Sequence, residues 1–143
     1  MSAATPIRRA NVADAAACAR VVHGWVSATP WMPDRFSEAE LTGMLAEAIP
    51  VREVYVGGDP VVGYLSFHPE TSLIAGLYVE ARNGGLGKAL IDHVKQGRDY
   101  LQLWTHAPNM RAHAFYVREG FVKTGETRDG DDGQVEFRME WRR

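Results

Sequence analysis

Arg82-Asn83-Gly84-Gly85-Leu86-Gly87-Lys88 stands between an apolar strand and an amphipathic helix. Ser72 to Val79 precedes it as the strand. After it, Leu86, Leu90 and Val94 fall on one helical face while Lys88, Asp92 and Lys95 fall on the other. Glycine tolerates positive φ and lets a ligand approach the backbone closely. The helix start adds unpaired amides and the positive end of a dipole, and Arg82 and Lys88 add charge, so the segment reads as an anion site. A Walker loop is excluded, because Ala89 follows Lys88 where Ser or Thr is needed and no glycine occupies position 82. A dinucleotide fingerprint fails as well, since Gly85-Leu86-Gly87-Lys88-Ala89 leads to Leu90.

Outward from this turn the periodicity predicts an alternation of strands and helices. Downstream, Leu101 to Thr105 reads as a strand, Asn109 to Glu119 as a helix and Phe121 to Thr127 as a strand. Arg128 to Gly133 turns into a last strand, where Val135, Phe137, Met139 and Trp141 alternate with polar residues. Upstream, Arg52 to Val56 and Val61 to Phe67 are strands joined by Gly57-Gly58-Asp59-Pro60. Near the start, Ile7 to Ala10 reads as a short strand. A helix follows from about Val12 to Val26, with Ala15, Cys18, Val22 and Trp25 on one face. Two prolines break the chain at Thr29-Pro30-Trp31-Met32-Pro33. Ser37 and Glu40 have capping-box spacing for a second helix whose apolar stripe is Leu41, Met44, Leu45, Ala48 and Ile49.

The expectation is an α/β (α+β) fold forming one domain over residues 1–143. Its mixed, mostly antiparallel central sheet has about seven strands flanked by about four helices.

Arg82, Gly85 and Gly87 also supply the pattern Arg/Gln-x-x-Gly-x-Gly/Ala, preceded by Leu77-Tyr78-Val79. Further on comes Asn109-x-x-Ala112-x-x-Phe115-Tyr116-x-x-x-Gly120-Phe121. Together with the strand order, these motifs resemble the GCN5-related N-acetyltransferase (GNAT) family over essentially the whole chain. The resemblance implies acetyl-CoA as acyl-donor cosubstrate, in a V-shaped opening between Ser72–Val79 and Leu101–Thr105. It further implies that the backbone of Leu77 and Val79 pairs with the pantetheine arm. The amides of Arg82, Asn83, Gly84, Gly85, Leu86, Gly87 and Lys88 would wrap the pyrophosphate, and Asn109 would hold the arm near its helix start.

Tyr116 shares a helix face with Asn109 and Ala112. The resemblance makes it both a cofactor-binding residue and the general acid that protonates the departing thiolate, with the Val79 amide polarising the carbonyl. His68 and Glu70 lie near where family members often place a base, and Glu70 is the base candidate, although substrate amines also lose protons to solvent. The acceptor is expected to be a primary amine of a small molecule or a protein. Trp31 to Phe36 reads equally as an acceptor-site wall and as a packed lid. The rivals are a larger acyl-CoA donor, a non-catalytic CoA-binding regulatory module, and a nucleotide-binding module.

Composition narrows the rest. Sixteen Lys and Arg against 18 Asp and Glu leave a charge of −2, which argues against nucleic-acid and membrane partners. The single cysteine, Cys18, permits no internal disulfide, fits a cytoplasmic location and reads as core. No signal peptide or membrane span is visible. Five histidines without ligand spacing predict no metal. His106 and His113, flanking the second motif, default to the surface, and Trp104 and Trp141 to core or dimer contacts. Asp129 to Gly133 lacks the sixth-position glycine of a calcium loop and reads as a hairpin turn. Many GNAT relatives dimerise, and a homodimer stays open.

Overall fold

The computed structural model describes residues 6–80 and 84–143. Seven strands form one sheet: β1 (Ile7–Arg9), β2 (Glu53–Gly57), β3 (Gly63–His68), β4 (Leu73–Val79), β5 (Tyr100–His106), β6 (Val122–Asp129) and β7 (Val135–Arg142). Four α-helices accompany them: α1 (Ala15–Ser27), α2 (Glu38–Ala48), α3 (Leu86–Lys95) and α4 (Met110–Arg118). The strand order is β1-β2-β3-β4-β5-β7-β6. Every pair is antiparallel except β4 with β5.

That parallel pair follows from the chemistry of its connection. α3 lies between β4 and β5, and a strand reached through a helix returns in the same direction. α4 likewise links β5 to β6, but β7 inserts between them, a placement that periodicity alone does not specify.

Helices cover both faces. On one, α3 and α4 bury Leu86, Leu90, Ile91, Val94 and Tyr116 against Leu65, Phe67, Leu101, Leu103 and Met139 of the sheet. On the other, α1 sets Cys18 and Val22 against Val54, Val56 and Tyr64. Fully burying such an aliphatic side chain is worth roughly 1.5–3 kcal/mol. Burial pushes the Cys18 thiol up to about 12, so it stays a neutral core group.

Two local readings change. The helix expected from Val12 opens with a 3₁₀ turn over Val12–Asp14, capped by Asn11, before α1 begins. The apolar stripe of α2 is only half-used: no residue within the helix is buried, and Met44 is 49% exposed. α2 packs through Leu41 and Leu45 beside α1, and only Ile49 at its C-cap goes fully into the core. The Ser37–Glu40 capping box forms as the spacing predicts. No helix among the described residues is long and apolar enough to cross a membrane.

Candidate active site

The site begins with a break in the sheet. β4 and β5 pair only at Leu73↔Gln102 and Ile74↔Leu103, then part. Immediately beyond, Ser66 of β3 faces Gly76 while Phe67 faces Ile74, which leaves Ala75 as an extra residue in β4. A bulge bends the strand that carries it. The bend turns the rest of β4 away from β5 and opens the V that the sequence leads one to expect.

Alternation then decides what the V presents. The Glu80 amide donates to Val62 O on the β3 side at 2.8 Å. Backbone groups of neighbouring strand residues point to opposite edges, so those of Leu77 and Val79 point into the gap. Among the described residues this strand edge is unpaired, a form able to accept an extended polar chain as an added strand.

One groove of about 680 Å³ is lined by Leu77, Val79, Gly84, Gly85, Gly87 and Lys88, and on its far wall by Asn109 and Tyr116. α3 starts at Gly85, whose φ of 86° lies in the left-handed region and whose missing side chain leaves the helix uncapped. α2 and α4 differ, since the side chains of Ser37 and Asn109 accept from the amides of Glu40 and Ala112 and so cap their helices. Among the described residues no side chain caps the first amides of α3, and uncapped amides at a helix start suit an external anion. Gly87 has a second reason to be glycine, because a Cβ there would lie 3.3 Å from the Phe115 ring. The Leu86 side chain is buried beneath the sheet. Arg82 and Asn83 lie outside the described residues.

Asn109 has an architectural task as well. Its Oδ1 accepts from the Ala112 amide at 3.1 Å, capping α4. The carboxamide nitrogen has no partner among the described residues. Tyr116 lies two turns further along the same helix face, buried and wedged between Phe115 and Phe121. Its hydroxyl also lacks a partner among the described residues. Burial, with Tyr78 adding to it, holds the phenol well above the ordinary tyrosine range.

Glu70, the base candidate, is exposed in the turn between β3 and β4, at the closed end of the V. It and His68 line none of the described cavities. The structure does not bring them to Tyr116.

Another set is brought there instead. A second cavity, of about 560 Å³, shares Leu77, Tyr78, Asn109, Ala112 and Tyr116 with the groove and continues to the β6–β7 hairpin. Trp25, Met32 and Arg35 wall it from α1 and the connection to α2; Trp104, His106 and Glu136 from β5 and β7. The Trp31–Phe36 segment thus serves as both lid and wall. Trp31 packs on Trp25 and His106, and Gln134 Nε2 donates to Trp31 O at 2.9 Å.

The two histidines expected at the surface are not there. His113 is buried, and its Nε2 donates to His106 O at 3.0 Å. The His106 ring is 17% exposed; Nε2 lies 2.8 Å from Asp132 Oδ2 and 3.6 Å from Glu136 Oε2. Burial pushes the Asp132 carboxyl up, but hydrogen bonds from the Gln134 amide and His106 outweigh it, leaving the group below the ordinary aspartate range. Burial also takes Tyr78 up to about 12, helped by Asp132 and Glu136.

His106, Asp132 and Glu136 each place a donor atom within 4.8 Å of the others, a grouping with metal-ligand spacing in space though not in sequence. Those atoms already engage one another, and Arg128 Nε donates to Glu136 Oε1 at 2.6 Å. Hydrogen bonds and ion pairs therefore account for the cluster. Trp104, expected in the core or at a dimer contact, lines the cavity with the Arg128 guanidinium 4.2 Å above its ring, while Trp141 is in the core. Asp129 to Gly133 forms the expected hairpin turn.

The sheet is thus parted between its two parallel strands, with a helix start that lacks a side-chain cap at one mouth and a second cavity behind. The family model for the acetyltransferase (GNAT) family matches residues 18–121, and the chain belongs to that family. No curated protein matches it. Among solved structures it is similar to apo YjaB from Escherichia coli, at 20% identity and TM-score 0.77, covering 97% of this chain and 98% of that one. Similar too is yncA from Salmonella typhimurium with its cofactor acetyl-CoA (20%, TM-score 0.73, 98% and 94%). The ribosomal-protein-alanine N-acetyltransferase of Brucella melitensis matches at 21% and TM-score 0.73, over 96% and 99%.

Proposed function

We propose that this protein transfers the acetyl group of acetyl-CoA to a primary amine of a small molecule or a protein. The observation that carries the reading is the continuity of the groove and the second cavity through Leu77, Asn109 and Tyr116. A donor laid along β4 would present its thioester where an acceptor can arrive from the other side.

Each chain element then has a task. The uncapped α3 amides and Lys88 hold phosphate oxygens, with Arg82 and Asn83 expected beside them. Leu77 and Val79 bind the amide-bearing arm through their backbone, and the Asn109 carboxamide donates to it. The Val79 amide polarises the thioester carbonyl, and Tyr116 gives its proton to the departing sulfur. A phenol held above its ordinary range is still protonated when that moment comes.

The acceptor cavity carries Asp129, Asp131, Asp132 and Glu136 beside Arg35 and Arg128, with indole walls from Trp25 and Trp104. Carboxylates and aromatic faces suit an amine that arrives as a cation. The testing experiment is a screen of spermidine, lysine, kanamycin and an alanyl-terminated peptide with acetyl-CoA, reading released CoA thiol. Turnover of at least one, with calorimetric binding of acetyl-CoA, is the expected result. Binding without thiol release from any of them counts against transfer.

A further inference from the structure

We propose that His106 is the general base for the acceptor amine, with Asp132 as the residue that positions it. The inference rests on the transfer reading above and names the group that reading lacks. His106 ends β5 on the wall of the cavity shared with Tyr116, Tyr78 and Asn109. Its backbone is fixed twice, because its carbonyl accepts from the Asn109 amide at 3.0 Å and from His113 Nε2 at the same distance. Its ring stacks on Trp25, centroids 6.0 Å apart with planes 29° from parallel, and Trp31 packs against both, 5.4 Å from the His106 ring and 5.7 Å from that of Trp25.

The hydrogen bond to Asp132 settles which nitrogen is basic. An ionised carboxylate can only accept, so Nε2 carries the hydrogen and the lone pair of the neutral ring is on Nδ1. Nδ1 has no partner among the described residues. Nor is it sealed: the one buried, unpartnered side-chain nitrogen among them is His113 Nδ1. An imidazole with a carboxylate behind one nitrogen and an open lone pair on the other is the arrangement of an oriented base.

The charged groups around the ring are accounted for. From the β6–β7 hairpin come Asp132, Glu136 and, through Glu136, Arg128. Asp129 and Asp131 line the same cavity, and Arg35 reaches across from the α1–α2 connection to Asp131 O at 3.2 Å. On α1, His23 faces Asp34 at 3.8 Å. Arg128 engages Glu136 Oε1, and Glu136 Oε2 stands 3.6 Å from Nε2 against 2.8 Å for Asp132 Oδ2, so Asp132 is the direct partner of the imidazole.

The step balances without a further reactant. The amine that arrives as a cation first gives one proton to solvent, and the neutral amine then forms a C–N bond to the acetyl carbon as the C–S bond breaks. The surplus proton on nitrogen goes to Nδ1 of His106, and the Tyr116 phenolic proton goes to sulfur, giving the amide and CoA thiol. Solvent then carries a proton from the imidazolium to the phenolate.

The test uses His106→Gln and Asp132→Asn with acetyl-CoA and whichever amine of the four-member screen wild type turns over fastest. Methoxyamine, a weak base whose adduct sheds its proton to water unaided, is assayed beside it. His106→Gln is expected to bind acetyl-CoA as wild type does and to lose about 100-fold or more in kcat on the basic amine. Its loss on methoxyamine is smaller, and in kcat/KM corrected for the fraction of acceptor that is neutral the acid limb of the wild type disappears. Asp132→Asn is expected to keep that limb, displaced, with an intermediate kcat. If either variant keeps the wild-type kcat and an unmoved acid limb while wild type is active, the base assignment falls and transfer stands. If wild type releases no thiol with any amine, transfer falls and takes the assignment with it.

Discussion

Burial and the neighbouring Tyr78 hydroxyl lift the Tyr116 phenol above the ordinary range, so the residue keeps its proton through neutral and mildly alkaline pH. A general acid works only while protonated, and a raised value moves its loss to higher pH. In kcat against pH, no alkaline fall assignable to Tyr116 is therefore expected below about pH 10. Tyr116→Phe should lower kcat by about 100-fold with acetyl-CoA affinity retained, and full turnover across pH would remove Tyr116 from the mechanism. Asp14 gives the opposite sign, in stability. Arg8 donates to both of its oxygens at 2.8 Å and Asn11 N donates at 2.9 Å, holding the carboxyl below its usual range. The stability it contributes is complete above the unfolded carboxylate range and drains away from about pH 4 downward. Urea midpoints measured against pH should fall less steeply on the acid side in Asp14→Asn. At this scale the motif residues were legible and the cluster was not. Asn109 and Tyr116 declare themselves by spacing within one helix. His106 and Glu136 meet as cross-strand neighbours in the β5–β7 register, which depends on a strand insertion no local pattern encodes. A histidine ending a strand, with an acidic hairpin later in the chain, was the one available signal.

Among the elements, α3 shows how a local rule is broken to build a site. Helix starts gain stability from side-chain caps, and α3 forgoes one at Gly85. Gly85→Ala keeps the absence of a cap but forces an L-residue to φ of 86°. The expected cost is about 1–2 kcal/mol, read as a lower denaturation midpoint, together with weaker acetyl-CoA binding as the amides shift. Asn109→Ala separates two tasks of one residue. Loss of the cap should cost about 1 kcal/mol, and loss of the carboxamide should raise KM for acetyl-CoA; unchanged KM would leave Asn109 a cap alone. The same scale shows why α2 was over-read. Its stripe has helical period, but the sheet face beneath is already occupied by α1, so α2 leans on a helix and leaves Met44 in solvent.

For the whole molecule, ligand and fold are linked through one surface. Anything that binds the native groove and not the unfolded chain raises stability, by about 2.7 kcal/mol at a hundredfold excess over Kd. Thermal unfolding should therefore rise with acetyl-CoA and CoA, and far less with ATP, whose phosphates lack the arm that β4 is open to receive. An equal response to ATP would favour a nucleotide-binding module.

The bulge at Ala75 also makes the middle of the sheet a seam. On one side of it β1 to β4 form a continuous antiparallel ladder, on the other β5, β7 and β6 form a second, and two residue pairs at the base stitch them together. A bound pantetheine arm would restore rungs where the ladder lapses. The amides of Leu77 and Val79 should then trade hydrogen for deuterium freely in the empty protein and slowly with acetyl-CoA bound, while Leu65 in the flanking ladder stays slow in both. Occupancy of the groove becomes a number that can be timed at two residues.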